Sequence, residues 1–204
     1  MLSDPIKRFT EIFSKFPSIG PRQATRLAFY IAGLGKTKIK EISNAISGLY
    51  ELNTCARCFR TFSDPSISSK QALCSICGDP TRIKGLIAVI EKETDLISLE
   101  KTKKFNGWYL LIGELHKTGE LEPEQKLRLA GLKTLIKKEL RGKAEEIILA
   151  INPTVYGDLN AALLKKELEE CAEKITRLGR GIPTGGEIEF ADEETLGQAI
   201  DRRN

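Results

Sequence analysis

Cys55-Ala-Arg-Cys58 and Cys74-Ser-Ile-Cys77-Gly78, fifteen residues apart, form the stretch from which the rest of this chain is read. Two Cys-x2-Cys pairs at that separation make the ligand set of a closed, tetrahedral zinc site. Each pair is a tight knuckle whose sulfurs converge, and Gly78 is expected to let the second knuckle turn back. Two disulfides, or four unrelated core cysteines, are the competing readings. Nothing at the N-terminus resembles a secretory signal, so a reducing cytosol is expected, where disulfides are rare. The stretch is also too poor in large apolar residues to build a core of its own. One structural zinc per chain, held by Cys55, Cys58, Cys74 and Cys77, is therefore expected. Four protein ligands leave no open position for water, which points to structure and not to catalysis.

With 204 residues, 41% of them apolar, and no long apolar run, the chain reads as one to three small globular domains without a membrane span. Its net charge of +4 is unevenly spread. Residues 1–84 carry 13 Lys and Arg against 6 Asp and Glu, whereas residues 85–204 carry 19 against 22. That asymmetry suggests a front half that faces nucleic acid. The fifth cysteine, Cys171, falls in a helical pattern and reads as a packed thiol.

Asp4-Pro5 is a helix start, an N-cap acceptor followed by proline, and Ile6, Phe9, Phe13 and Phe16 fall on one face behind it. The helix stops at Pro17-Ser-Ile-Gly-Pro21. A second begins at once, with Ala24, Leu27, Ala28 and Ile31 as its apolar stripe. Two helices joined by a short Ile-Gly turn form a helix-hairpin-helix. Gly20 lets the backbone come close to a phosphate, and free N–H groups at the next helix start can bind it. Arg22 and Arg26, four apart and off the apolar stripe, reach the same backbone, with Lys15 assisting. An ordinary helical hairpin with a solvated basic face is the alternative. A third helix is expected to turn Ile39, Ile42, Ile46 and Leu49 inward.

After the cysteines the pattern changes. Leu86-Ile-Ala-Val-Ile90 is a strand buried on both faces, ending at Glu91. A helix over Thr94–Lys101, a strand over Trp108–Ile112 and a helix from Pro123 to about Leu140 follow. A strand over Glu146–Ile151, a helix from Asp158 to about Cys171 and a strand over Lys174–Leu178 complete the alternation. Strands alternating with helices make a parallel sheet whose sites gather at the carboxyl ends of its strands, here Glu91 and the Asn152–Asp158 loop.

The order of these parts, with the strings Leu27-Ala-Phe-Tyr, Glu100-Lys-Thr, Asn106-Gly107, Asn152-Pro-Thr-Val, Gly181-Ile-Pro-Thr-Gly-Gly and Glu189-Phe-Ala-Asp-Glu193, resembles the bacterial RecR family of recombination mediators along nearly the whole chain. The resemblance implies a multidomain α/β protein. Its parts are a helix-hairpin-helix region (1–54), a four-cysteine zinc finger (55–78), a Toprim domain with a Rossmann-like parallel sheet (79–173), and a C-terminal connector and helix (174–204). It implies a cytoplasmic, nucleoid-associated protein that binds single- and double-stranded DNA without reading sequence. It further implies that RecO, and in some settings RecF, are partners in loading recombinase onto DNA coated by single-stranded-DNA-binding protein. Assembly as a ring-shaped homotetramer that clamps DNA, with the tail packed on a neighbouring subunit, is implied too. Three departures stand out. Ser18 occupies the usual glycine position of the hairpin, Tyr156 stands where many relatives have glutamate, and Ile112-Gly113 replaces His-Gly. The only histidine, His116, thus matches no motif position and is given no role.

Catalytic Toprim domains use a glutamate and an Asp-x-Asp pair to hold Mg²⁺. Here Glu91 fills the first position, but the second reads Asn152-Pro-Thr154, two neutral donors in place of two anions. Tyr156 has no general base in view. After Gly181–Gly186 come Glu187 and Ile188, where a phosphate loop needs Lys and Ser or Thr, so this run reads as a connector, with Asp192 capping a final helix through about Ile200. A non-enzymatic mediator is therefore expected, with no catalytic residue. The alternative is a degenerate Toprim enzyme with weak Mg²⁺-dependent nicking or strand passage. The unpaired carboxylates Glu91 and Asp158, backed by Glu93 and Asp95, are expected to form an acidic face for RecO.

Overall fold

A computed structural model describes residues 2–64 and 72–201, and the chain divides into two units, 1–52 and 53–204. The middle of the cysteine stretch (65–71) and the end of the tail (202–204) lie outside the described residues.

The first unit holds three helices, α1 (Asp4–Phe13), α2 (Pro21–Gly33) and α3 (Gly35–Gly48). Pro5 sits in the first turn of α1, but Ser3 is the residue before the helix and Asp4 is already helical, so Asp4 is not the cap. Phe9 stacks on Phe13 at 3.9 Å between centroids, and Phe13 meets Phe16 edge-on at 5.1 Å. In α2, Ala24 and Ala28 are buried. Their small side chains allow α1 to approach, and the Thr10 and Thr25 hydroxyls join the two helices at 3.2 Å. The expected inward stripe of α3 is not covered: Ile46 is 51% exposed, Leu49 64% and the following Tyr50 97%. The helical period of that stripe holds: Ile42 is half-buried, while Ile46 and Leu49 lack cover among the described residues.

The second unit begins with a small antiparallel pair, β1 (Asn53–Thr54) and β2 (Thr61–Phe62), and a one-turn helix, α4 (Ser75–Gly78). Then come β3 (Ile83–Ile90), α5 (Glu93–Lys101), β4 (Gly107–Leu111), α6 (Pro123–Glu139), β5 (Ala144–Ala150), α7 (Val155–Leu168), β6 (Ala172–Arg177) and α8 (Glu193–Asp201). The sheet order is β4-β3-β5-β6, all parallel. The boundary expected at 173/174 therefore falls inside β6, which pairs with β5 and belongs to the sheet.

Alternation along the strands sorts two apolar layers. Ile87, Val89, Leu110, Ile147 and Leu149 pack with Leu129, Leu132 and Ile136 of α6 and Leu164 and Leu168 of α7. Ala88, Ile90, Tyr109 and Leu111 face the other way, toward Leu96 of α5 and the four cysteines. At the start of β4, a Cβ on Gly107 would lie 2.2 Å from the Leu86 carbonyl oxygen, so only glycine lets the strands meet there. The Thr154 hydroxyl accepts the Gly157 N–H at 3.0 Å and starts α7 three residues before the expected Asp158. That cap contributes about 1 kcal/mol.

One half-buried network ties the post-cysteine segment to α5 and β4. Arg82 donates to both oxygens of Glu100 (2.9 and 2.5 Å) and to the Gly107 carbonyl at 3.0 Å. The Tyr109 hydroxyl donates to Glu100 at 2.6 Å. Burial works to raise the Glu100 pKa, but the hydrogen bonds from Arg82 and Tyr109 hold it below the ordinary carboxylate value. Burial and the Glu100 hydrogen bond push the Tyr109 phenol well above its ordinary value. The depressed carboxyl stabilises the fold above its unfolded pKa, and that contribution is lost as pH falls through the folded value. The raised phenol contributes below its unfolded pKa of about 10, and this is lost as pH rises through the folded value. Urea denaturation should show Glu100→Gln destabilised by about 1–3 kcal/mol at neutral pH, with a flatter acid limb than the wild type. An unchanged midpoint would show that the network is dispensable.

Candidate metal centre and nucleic-acid interface

The cysteine knuckles are built by backbone. The Cys55 amide donates to the Arg60 carbonyl at 2.8 Å and the Phe59 amide to the Cys55 carbonyl at 3.0 Å, folding the first knuckle between β1 and β2. The second is closed by the Gly78 amide on the Cys74 carbonyl at 2.9 Å. The residue that takes a left-handed conformation is Phe59 (φ 63°); Gly78, expected to be the pivot, sits in α4 without a positive φ. All four cysteines are buried, and their sulfurs lie within 4.8 Å of one another. Cys58 Sγ and Cys74 Sγ are 3.6 Å apart. Tetrahedral zinc, with Zn–S bonds of about 2.3 Å, spaces its sulfurs by about 3.8 Å. The Cys74 amide also donates to Cys55 Sγ at 3.4 Å, the kind of outer contact that steadies a thiolate ligand. Hydrogen bonding to Cys55 drives the Cys58 and Cys77 thiols far above the ordinary value, while bonds from its neighbours drive Cys55 far below it. Four buried sulfurs at this spacing cannot all ionise without a cation among them. The donor set fits a structural metal.

The knuckles are attached to the sheet. The Leu111 amide, at the end of edge strand β4, donates to the Cys58 carbonyl at 3.0 Å. Arg57, between the first two cysteines, lies 4.0 Å from the Trp108 ring centroid. It donates to the Cys77 carbonyl at 3.0 Å and pairs with Glu139 of α6 at 2.8 Å. Thr61 donates its amide to Glu93 at 2.6 Å. Arg57 was not singled out by sequence reading, although its place inside a knuckle was a signal.

In the first unit, Lys15, Gly20, Arg22 and Arg26 are exposed around the α1–α2 turn. Among the described residues no ion pair engages Lys15, Arg22 or Arg26. Ser18 adopts φ 62°, accepting the left-handed strain that glycine would avoid. The Gly20 amide is committed to Gln23 Oε1 at 3.2 Å, so it does not face outward as a free donor.

At the carboxyl ends of the strands, β3 and β5 are neighbours from which the chain departs in opposite directions across the sheet. Glu91 is buried and accepts the Asn152 amide at 3.4 Å. A Cβ on Gly157 would lie 1.9 Å from the Asn152 carbonyl oxygen, which fixes how tightly this loop folds over α7. Asp158 is bonded by both Arg177 and Arg180, and Arg180 also pairs with Glu194 of α8. The Arg177 hydrogen bond, with the charge of both arginines, holds the Asp158 carboxyl below its ordinary pKa. Asp95 accepts the Lys92 amide at 2.9 Å. The carboxylates expected to be unpaired are thus engaged, and Arg177 and Arg180 make the edge of mixed charge. A cleft of about 760 Å³ opens here, lined by Asn152, Thr154, Asp158, Arg177 and Arg180 among others. The two arginines went unnoticed in the sequence because they lie at and beyond the end of the last strand, outside any motif.

Residues 85–179 match the family model of a Toprim domain, and residues 181–204 that of the RecR C-terminal region. The recombination protein RecR of Lactococcus lactis subsp. lactis is 36% identical over 203 residues, covering 98% of this chain and 96% of that protein. Those of Herpetosiphon aurantiacus and Clostridium perfringens are each 34% identical, covering 98% and 97% of this chain and 94% and 95% of theirs. The chain belongs to the RecR family. Its fold class is the expected one: an N-terminal helical hairpin, a cysteine cluster suited to a metal, a Toprim sheet and a C-terminal helix. In this RecR chain, Asp192 caps α8 by accepting the Thr195 amide at 2.8 Å, as the sequence indicated.

Metal analysis of purified protein should return one divalent, sulfur-binding ion per chain. Cys58→Ser should lose it and unfold the knuckles, since structural zinc contributes on the order of 10–16 kcal/mol in small peptides. Well under one ion per chain in clean wild-type protein would contradict this.

Proposed function

We propose that this RecR-family protein is a non-enzymatic, DNA-binding recombination mediator carrying one structural zinc on Cys55, Cys58, Cys74 and Cys77. It acts with RecO, and in some settings RecF, to load recombinase onto single-stranded DNA coated by its binding protein. The observation that carries this reading is the contrast between its two charged regions. Around the hairpin turn, Lys15, Arg22 and Arg26 are exposed and free of ion pairs among the described residues. At the Toprim strand ends, where catalysis would need free carboxylates, Asp158 is neutralised by Arg177 and Arg180. Thr154 spends its hydroxyl on a helix cap.

DNA contact is assigned to Arg22 and Arg26, with Lys15 assisting and the exposed Gly20 letting the backbone come close to a phosphate. Such contacts meet phosphates and read no sequence. Assembly as a ring-shaped tetramer is supported by the uncovered face of Ile46, Leu49 and Tyr50, which a second copy would bury. The contact with RecO is assigned to the edge built by Glu91 and Asp158, with Asp158, Arg177 and Arg180 at its surface and the buried Glu91 holding the Asn152 loop beneath it. Among the described residues no helix is long and apolar enough to cross a membrane, compatible with the proposed place in the cytoplasm on the nucleoid.

A titration of labelled DNA across a salt series tests the assignment. Arg22→Ala with Arg26→Ala should weaken binding to all sequences alike and lower the log–log salt slope by about 0.9 for each duplex phosphate no longer neutralised. It should leave RecO binding intact, whereas Glu91→Ala with Asp158→Ala should do the reverse. In the same samples Mg²⁺ should produce no nicking. Unchanged affinity and slope in the arginine variant would remove the hairpin as the DNA site, and nicking would favour a degenerate Toprim enzyme.

A further inference from the structure

We propose that the amino-terminal edge of the Toprim sheet is a second contact surface for nucleic-acid phosphates. The proposal rests on the DNA-binding reading above but concerns a different unit of the chain. Parallel topology brings three strand starts together: β4, β3 and β5 are adjacent, and the segments entering them all lie at one edge. Strands spaced by about 4.8 Å put those starts within about 10 Å. The segments are rich in lysine and arginine. Lys103 and Lys104 precede β4, Lys84 lies near the start of β3, and Arg141 and Lys143 precede β5. All five are exposed, and none has an ion pair among the described residues. The carboxylates nearest in sequence are largely engaged: Glu100 by Arg82, Glu139 by Arg57, and Asp79 by the amide and hydroxyl of Thr81. Glu145 lies against Gly85. The fourth strand start, that of β6, is flanked by the exposed Glu169, Glu170 and Glu173, so the basic surface is confined to the β4, β3 and β5 side of this edge.

Helix dipoles explain part of this. The carboxyl ends of α5 and α6 point to the amino edge, and Lys101 in the last turn of α5 answers that partial negative charge. Lys103 and Arg141 need another reason. Each sits just past a helix in a left-handed conformation, with φ 54° and 55°. That is where glycine or asparagine is usual, and another residue costs on the order of 1 kcal/mol or more. Two cations at two strained positions on one edge, where glycine would fold better, indicate that the side chains serve something outside the fold. A polyanion with regularly spaced phosphates matches exposed cations that make no ion pair within the described residues.

The test uses the full-length, metal-loaded protein carrying Lys103→Gly, Lys104→Gln, Arg141→Gly and Lys143→Gln. If these residues served folding, the variant would be less stable. The proposal instead expects unchanged metal content, an unfolding midpoint at or above the wild type, and weaker DNA binding. The salt slope on duplex DNA should fall by about 0.9 for each phosphate that the variant leaves unneutralised. Unchanged affinity and slope in this variant, while Arg22→Ala with Arg26→Ala loses binding, overturns the second surface and leaves the hairpin reading standing. The opposite pattern keeps the second surface and removes the hairpin. Lysine acetylation of the unaltered protein gives a check independent of variant folding. DNA should protect Lys103, Lys104 and Lys143 but not Lys165 and Lys166 of α7, and equal labelling of both groups with DNA bound would also overturn the proposal.

Discussion

A single hydrogen bond from the Leu111 amide to the Cys58 carbonyl, 3.0 Å long, marks the constraint on which the second unit depends. β4 is an edge strand, and an open edge presents unpaired backbone groups that invite pairing with other chains. Here the cysteine knuckle covers part of that edge. Its four sulfurs pack in the same apolar layer as Ala88, Ile90, Tyr109 and Leu111, so the candidate metal site and the sheet share a core. Arg57 extends the attachment by stacking on Trp108, binding the Cys77 carbonyl and pairing with Glu139. Metal binding on the order of 10 kcal/mol or more in small peptides is comparable with the whole stability of a domain, about 5–15 kcal/mol. Whatever holds the four sulfurs therefore also holds the sheet edge.

What the sequence made legible follows from how local each signal is. The run Leu86–Ile90 could be read as a strand buried on both faces because a central parallel strand must be apolar throughout, and β3 lies between β4 and β5. The cysteine spacing could be read because ligand geometry is short-range. Asp192 as a helix cap depended only on residues three apart. Readings that needed partners distant in sequence failed. Asp158 looked unpaired because Arg177 and Arg180 reach it only once β6 is laid beside β5. The stripe on α3 carried the right period, but periodicity says that a face is apolar and not what covers it. Gly78 looked like a pivot by residue type, but the second knuckle closes through the Gly78 amide on the Cys74 carbonyl without a positive φ at that glycine.

The Toprim edge shows how a fold can keep its architecture while its site changes. A catalytic version needs carboxylates free to hold a cation. Here one is buried against the Asn152 amide, and another is shared by two guanidiniums, one of which also reaches α8 through Glu194. The same residues fasten the C-terminal helix to the sheet, so the edge serves attachment. Exposed cations without ion-pair partners among the described residues lie at the hairpin turn and at the amino ends of β3, β4 and β5, as well as on α6 and α7. That distribution, more than the net charge of +4, is what suits a protein working on DNA.

Trp108 is the only tryptophan in the chain, and Arg57 of the first knuckle lies against it, so its fluorescence reports whether metal and sheet are one unit. Metal should be withdrawn stepwise by a chelator while released metal and tryptophan emission are followed in the same sample. Shared folding predicts that the two change together, with emission shifting to longer wavelength as the buried ring meets water and the unfolding midpoint falling in step. Metal leaving completely while emission and midpoint stay unchanged would show that the knuckles are an independent appendage, and would contradict the central claim.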